Sequence, residues 1–153
     1  MADIYELVLS LDLGTDLLPE DVAELRWHIG QGEAPEDALR LDRGYIAVIE
    51  DDDGDLICTD PQPFLSQDGP AWRIGGALGS RLEKTADRWH LEARQEVHPE
   101  DFEALEGLLI WLYRLTDAGK VAADGSVEIG RLRWYEDPDS HPLLIRKGCV
   151  LWP

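Results

Sequence analysis

The sequence predicts an α+β fold: a mainly antiparallel sheet with two helices packed on one face. Three observations carry this reading. Alternating apolar and polar residues mark strands at Ile4–Leu13 and Trp89–Val97. Each strand is followed by a proline-started helix, PEDVAEL at Pro19–Leu25 and PEDFEAL at Pro99–Leu105, 80 positions apart. Each helix is followed in turn by two short apolar segments separated by turn residues. The order is therefore two β-α-β-β halves, pseudo-repeats at about 4–59 and 88–151, within one domain spanning 1–153.

In the first strand Tyr5, Leu7, Leu9, Leu11 and Leu13 share one face, and Glu6, Ser10 and Asp12 share the other. Pro19 suits the first helical position, and Glu20 and Asp21 meet the positive end of the helix dipole. Val22, Leu25 and Ile29 make that helix's stripe, and Gly30 is its stop. Gln31–Arg43 reads as a polar connection. Tyr45–Ile49 and Leu56–Thr59 form a hairpin across Asp51-Asp52-Asp53-Gly54-Asp55, and Asp60–Pro70 is a proline-rich loop. Trp72–Leu82 reads as an extra strand, joined through Thr85–Asp87 to Trp89–Val97. The helix from Pro99 carries Phe102, Leu105, Leu108, Leu109, Leu112 and Leu115 at helical spacing. Its Leu108–Tyr113 stretch (LLIWLY) is apolar all round, so it needs cover on more than one side. Val127–Tyr135 and Leu143–Leu151 complete the chain as strands across Asp137-Pro138-Asp139-Ser140-His141-Pro142.

This order resembles the ferredoxin-like group and the dimeric α+β barrels built from it. It is also similar to the paired β-α-β-β-β modules of the glyoxalase and dioxygenase superfamily. The metal-bearing members of that superfamily place His or Glu on strands flanking a cavity. The opening strand here has no His, so the expectation is no metal and no cofactor.

Composition narrows the partners. The formal net charge is −18; residues 1–60 hold 17 acidic and 3 basic residues, a net of −14, and residues 61–153 hold 15 and 11, a net of −4. Such a field repels nucleic acid and anionic membranes. No apolar run approaches the roughly 20 residues of a membrane span, and the start of the chain has no basic signal region. Cys58 and Cys149 read as buried thiols, which makes the cytoplasm the expected address. Arg outnumbers Lys by 11 to 3 and Asn is absent, as expected of a GC-rich bacterial genome.

Chemistry-bearing motifs are sparse. Asp51, Asp53 and Asp55 fail the EF-hand offsets and read as a plain turn. Gly75-Gly76-Ala77-Leu78-Gly79 lacks the lysine and the glycine order of a phosphate loop. His28, His90, His98 and His141 make no metal-ligand spacing, and His28 and His98 read as exposed or capping residues. No nucleophile elbow is present, and catalytic residues are not identified. Trp89 and Trp134 are assigned to the core. His90, Glu92 and Arg94 share the polar face of one strand; they are the candidate ligand-binding residues if that face lines a cavity, and a solvated charge ladder if it meets water. Leu108, Ile110, Trp111 and Tyr113 are the candidate interface, with Trp111 as anchor. The expected function is that of a small acidic soluble protein without catalysis, acting through self-association as a homo-oligomer or through a protein partner. The alternative is a small-molecule-binding protein or enzyme with a pocket between sheet and helices.

Overall fold

A computed structural model describes residues 3–34, 48–58, 62–116 and 121–153. In chain order the strands are β1 (Tyr5–Leu13), β2 (Val48–Glu50), β3 (Leu56–Cys58), β4 (Gly69–Pro70), β5 (Ala77–Lys84), β6 (Trp89–Val97), β7 (Val127–Trp134), β8 (His141–Arg146) and β9 (Cys149–Leu151). The helices are α1 (Pro19–His28) and α2 (Phe102–Leu115), the second entered through a short 3-10 turn at Pro99–Asp101. The fold is α+β. Among the described residues seven strands form one sheet in the order β4-β5-β6-β1-β7-β8-β9, and every neighbouring pair is antiparallel.

The alternation read from the sequence sets which face is buried. Leu7, Leu9, Leu11 and Leu13 of β1 are buried together with Trp89, Leu91, Ala93 and Val97 of β6. They join Leu25 and Trp27 of α1 and Leu105, Leu108, Leu109 and Leu112 of α2 in one core. Both helices therefore cover the same face of the sheet. Gln95 is the polar member of that buried row, and its amide is matched to a loop. Its Oε1 accepts the Gln67 N–H at 2.9 Å, and its Nε2 donates to the Gln67 carbonyl at 3.1 Å and to Ser80 Oγ at 3.2 Å. A buried amide without such partners would cost about 1–3 kcal/mol.

Three expectations change. Among the described residues β2 and β3 pair only with each other, in a separate two-stranded ribbon, and the first half shows no in-sheet counterpart of β7 and β8. β5 begins at Ala77 rather than Trp72, because Gly75 and Gly76 both take positive φ (75° and 70°) and turn the chain before it. The final strand is two, β8 and β9, across Lys147-Gly148, both at positive φ (51° and 74°), as a tight hairpin turn of the primed type requires. The expected connection beyond residue 34, the segment 45–47, and Thr59 and Asp60 lie outside the described residues.

β1 is paired on both sides, unequally. Its ladder with β6 runs to Leu13–Trp89, whereas its ladder with β7 ends at Val8–Arg131. Beyond that point β7 carries a bulge between Glu128 and Gly130. Gly130 lies hard against β1: an added Cβ would stand 2.6 Å from Leu9 Cδ2 and 2.8 Å from the Val8 carbonyl oxygen. Gly130→Ala is therefore expected to cost about 1–3 kcal/mol through overpacking, read as a lower urea midpoint. Trimming the neighbour with Leu9→Val should not restore it, because the Val8 contact is backbone. Full rescue would contradict the close approach.

Candidate functional site

The face of the sheet opposite the helices carries the second half of each strand's alternation. Register sets the rows: Glu83, His90 and Asp12 in one, Arg81, Glu92 and Ser10 in the next, then Gly79, Arg94, Val8 and Arg131, then Glu96, Glu6 and Arg133. His90, Glu92 and Arg94 are thus brought together on this face, half-buried by one another and by their neighbours.

Arg94 is committed within the chain. Its guanidinium holds the Glu6 carboxylate through Nε at 2.7 Å and also through Nη2, and its Nη1 donates to the Ala77 carbonyl at 3.0 Å. Arg133 grips the other Glu6 oxygen through Nε at 3.0 Å and donates to the Asp137 carbonyl at 3.0 Å. The loop 71–76 closes over this end. Glu96 Oε1 accepts the Arg73 N–H at 2.9 Å, and a Cβ on Gly76 would lie 3.2 Å from Arg94 Nη1. The glycine pair here makes room for a guanidinium of the same chain.

His90 bridges two carboxylates, with Nδ1 2.9 Å from Asp12 Oδ1 and Nε2 3.2 Å from Glu92 Oε1. With a carboxylate at each nitrogen the doubly protonated ring is favoured. The bond to Asp12 raises the imidazole pKa above its ordinary 6.5, helped by Glu92 against some loss of hydration. The same bond, aided by Arg88, lowers the Asp12 carboxyl below 3.8. The sign follows from linkage. The His90 contribution to stability is full below pH 6.5 and is lost as pH rises through the raised value. The Asp12 contribution is full above pH 3.8 and is lost as pH falls through the lowered value. The pair therefore contributes fully between those limits. NMR titration of the His90 ring should give a midpoint above 6.5 that moves down in Asp12→Asn. A midpoint at or below the ordinary value would remove the bridge.

A shallow groove of about 410 Å³ crosses this face, lined by Val8, Gly79, Arg81, Glu92 and Arg94 among others. It lies outside the sheet and not between sheet and helices, where the ligand-binding alternative placed its pocket. Glu6, Asp12 and Arg133 were not among the site residues read from the sequence. No local signal marks them, because Glu6 and Arg133 are 127 positions apart and meet only through strand register.

The candidate interface divides. Leu108 (0% exposed) and Trp111 (5%) lie in the chain's own core, so the cover that the apolar stretch demanded comes from this sheet and α1. Trp111 is not presented to a partner. Ile110 is partly buried against the same core, and Tyr113 is at the surface. His28 is also corrected. It is fully buried, beside Trp27 at 4.6 Å and within 6.2 Å of the Phe64 and Trp111 rings; its Nδ1 accepts the Phe64 N–H at 3.4 Å. Polar residues are counted on the wet side of a helix when a stripe is read, and this hid His28 and the equally buried Glu24. Trp89 is a core residue, whereas Trp134 is only partly buried, edge-on to Tyr135. Cys149, read as a buried thiol, is exposed.

The aspartate turn is a turn: Asp51 Oδ1 accepts the N–H groups of Asp53 at 3.0 Å and Asp55 at 2.8 Å. Among the described residues no helix is long and apolar enough to cross a membrane. No family model matches the chain, and no curated protein or solved structure is significantly similar to it.

Proposed function

We propose that the chain is a binding protein without chemistry of its own, acting through a protein partner or a second copy of itself. One observation carries the reading: the β2–β3 ribbon holds Ile49 (45% exposed), Leu56 (75%) and Ile57 (43%) out to solvent. Ile49 and Ile57 are cross-strand partners and share one face of the ribbon, and Leu56 lies on the other. A two-stranded ribbon is marginal alone, and apolar side chains exposed on both of its faces mark it as an interaction site. Its turn is acidic from Glu50 to Asp55, and the whole chain carries −18. Two such copies repel one another, so charge favours a basic partner over self-association. The open sheet face supports the same reading, since Arg94, Arg133 and His90 are spent on carboxylates of the chain. In native extract of its source cells the chain should elute in a complex larger than its own mass, lost in Leu56→Glu while the fold persists. Elution as a single chain contradicts the reading.

A second reading is small-molecule binding in the groove beside Glu92 and Arg94, favoured by its volume of about 410 Å³. The fold reading extends to a ferredoxin-like core in a single domain. The order β5-β6-β1-β7, with α1 between β1 and β5 and α2 between β6 and β7, supports it; the ribbon, β4, β8 and β9 are then additions. A cytoplasmic address is supported by the exposed thiol of Cys149.

A further inference from the structure

The middle of the sheet is split. Past Val8 and Arg131, where their ladder ends, β1 and β7 border a cleft of about 580 Å³ lined by Ser10, Leu11, Asp12, Val127, Glu128 and Ile129 among others. That is the size of an ordinary ligand site. The far end is closed where Gly14 N–H donates to the Leu115 carbonyl at 3.0 Å and Leu13 pairs with Thr116.

The direction of the β1 backbone inside this cleft follows from alternation. The Ile4 carbonyl accepts the Tyr135 N–H at 3.0 Å, so the even-numbered residues of β1 direct their N–H and C=O groups toward β7. The Gly14 bond at the other end has the same parity. Between these two ends, Ser10 aims its backbone donor and acceptor, and Asp12 its donor, into the cleft past the last β1–β7 pair; the Asp12 carbonyl belongs to the Leu13–Thr116 bridge that closes it. This is a strand edge at the centre of a sheet, with alternate hydrogen-bonding positions in place and apolar side chains of Leu11, Ile129 and Leu144 at its walls. An extended peptide is the ligand whose pattern of amides fits such an edge. Asp12 and Glu128 at the rim already meet His90 and Arg131, so it is the net charge of −18 that selects a basic one.

We propose that the cleft between β1 and β7 binds a short, basic, extended segment of a protein partner by backbone pairing to Ser10 and Asp12. The proposal rests on the partner-binding reading above and places one contact of that partner away from the ribbon. β7 is irregular between Glu128 and Gly130 in its pairing with β8, next to the point where its ladder with β1 ends, and the bend of a bulge there suits an edge that stays open.

The probe is the peptide acetyl-Val-Lys-Val-Lys-amide, titrated into the labelled full chain and followed by amide NMR. Shifts are expected at Ser10, Asp12, Val127 and Glu128. The same peptide with N-methylated amides keeps its charge and should bind at least about tenfold more weakly, because its backbone cannot pair. Ser10→Pro removes one donor in the cleft while leaving the β6 ladder its own bonds, and should weaken binding about as much. Ala122→Trp, at an exposed position on the cleft wall, should block it without touching β1. Equal binding of both peptides would mean adsorption to an acidic surface and would overturn the proposal. So would shifts confined to the ribbon, or none. A large complex in extract together with an unresponsive cleft would sink this site while leaving the partner reading intact.

Discussion

Trp111→Glu should leave the chain unfolded or insoluble rather than merely unable to associate. The indole is 5% exposed within a core that includes Leu7, Leu25, Leu108 and Leu112. Truncating a buried tryptophan typically costs about 3–5 kcal/mol, and a carboxylate in its place adds the penalty of an unpaired buried charge. That total reaches the whole stability of an ordinary domain, about 5–15 kcal/mol. Near-ultraviolet circular dichroism and a urea melt decide the matter. Trp111→Phe should keep a native spectrum at reduced stability. Trp72 is 78% exposed, so Trp72→Ala should shift stability by no more than about 0.5 kcal/mol. A folded Trp111→Glu that had lost only an oligomer would return the residue to the surface.

Removing the Glu6 carboxylate should have the next largest effect. Its side chain is 13% exposed and lies between the guanidiniums of Arg94 (28%) and Arg133 (20%). Glu6→Gln leaves two cations facing each other beside carbonyls already in use, at an expected cost of about 2–4 kcal/mol, scaled down from a fully buried pair because all three groups retain some water. The cost should shrink in an Arg133→Met background, where one of the two cations is gone. A double-mutant cycle by urea denaturation measures that coupling. Additive effects would show that Glu6 and Arg133 are not energetically joined, whatever their 3.0 Å separation.

Much of the sheet was legible because one side of it is wet. β1 and β6 alternate cleanly, and proline followed by acidic residues marks both helix starts, so these elements fall where the pattern puts them. What the pattern cannot carry is pairing. Nothing near Leu56 says that β3 closes on β2 alone, and nothing near Glu6 points to Arg133. The Lys147-Gly148 turn was missed because lysine at positive φ is rare, and only glycine after it hints at the bend. The apolar run Leu108–Tyr113 announces the need for cover but not its source, a second layer of the same domain or another subunit; α1 and the sheet supply it. His90, Glu92 and Arg94 share a face as strand periodicity requires. That Arg94 is occupied by Glu6 depends on a neighbouring strand 88 positions away.

On the proposed function, the chain holds another protein through its exposed β2–β3 ribbon. A photo-reactive benzoylphenylalanine placed at Leu56 and irradiated in the source cells would capture that partner covalently. Glu83, exposed on the open sheet face, provides the control position. A discrete higher-mass adduct is expected from position 56 and not from position 83; its mass would distinguish a second copy from a different protein. No adduct at position 56, or the same diffuse ladder from both positions, would contradict it.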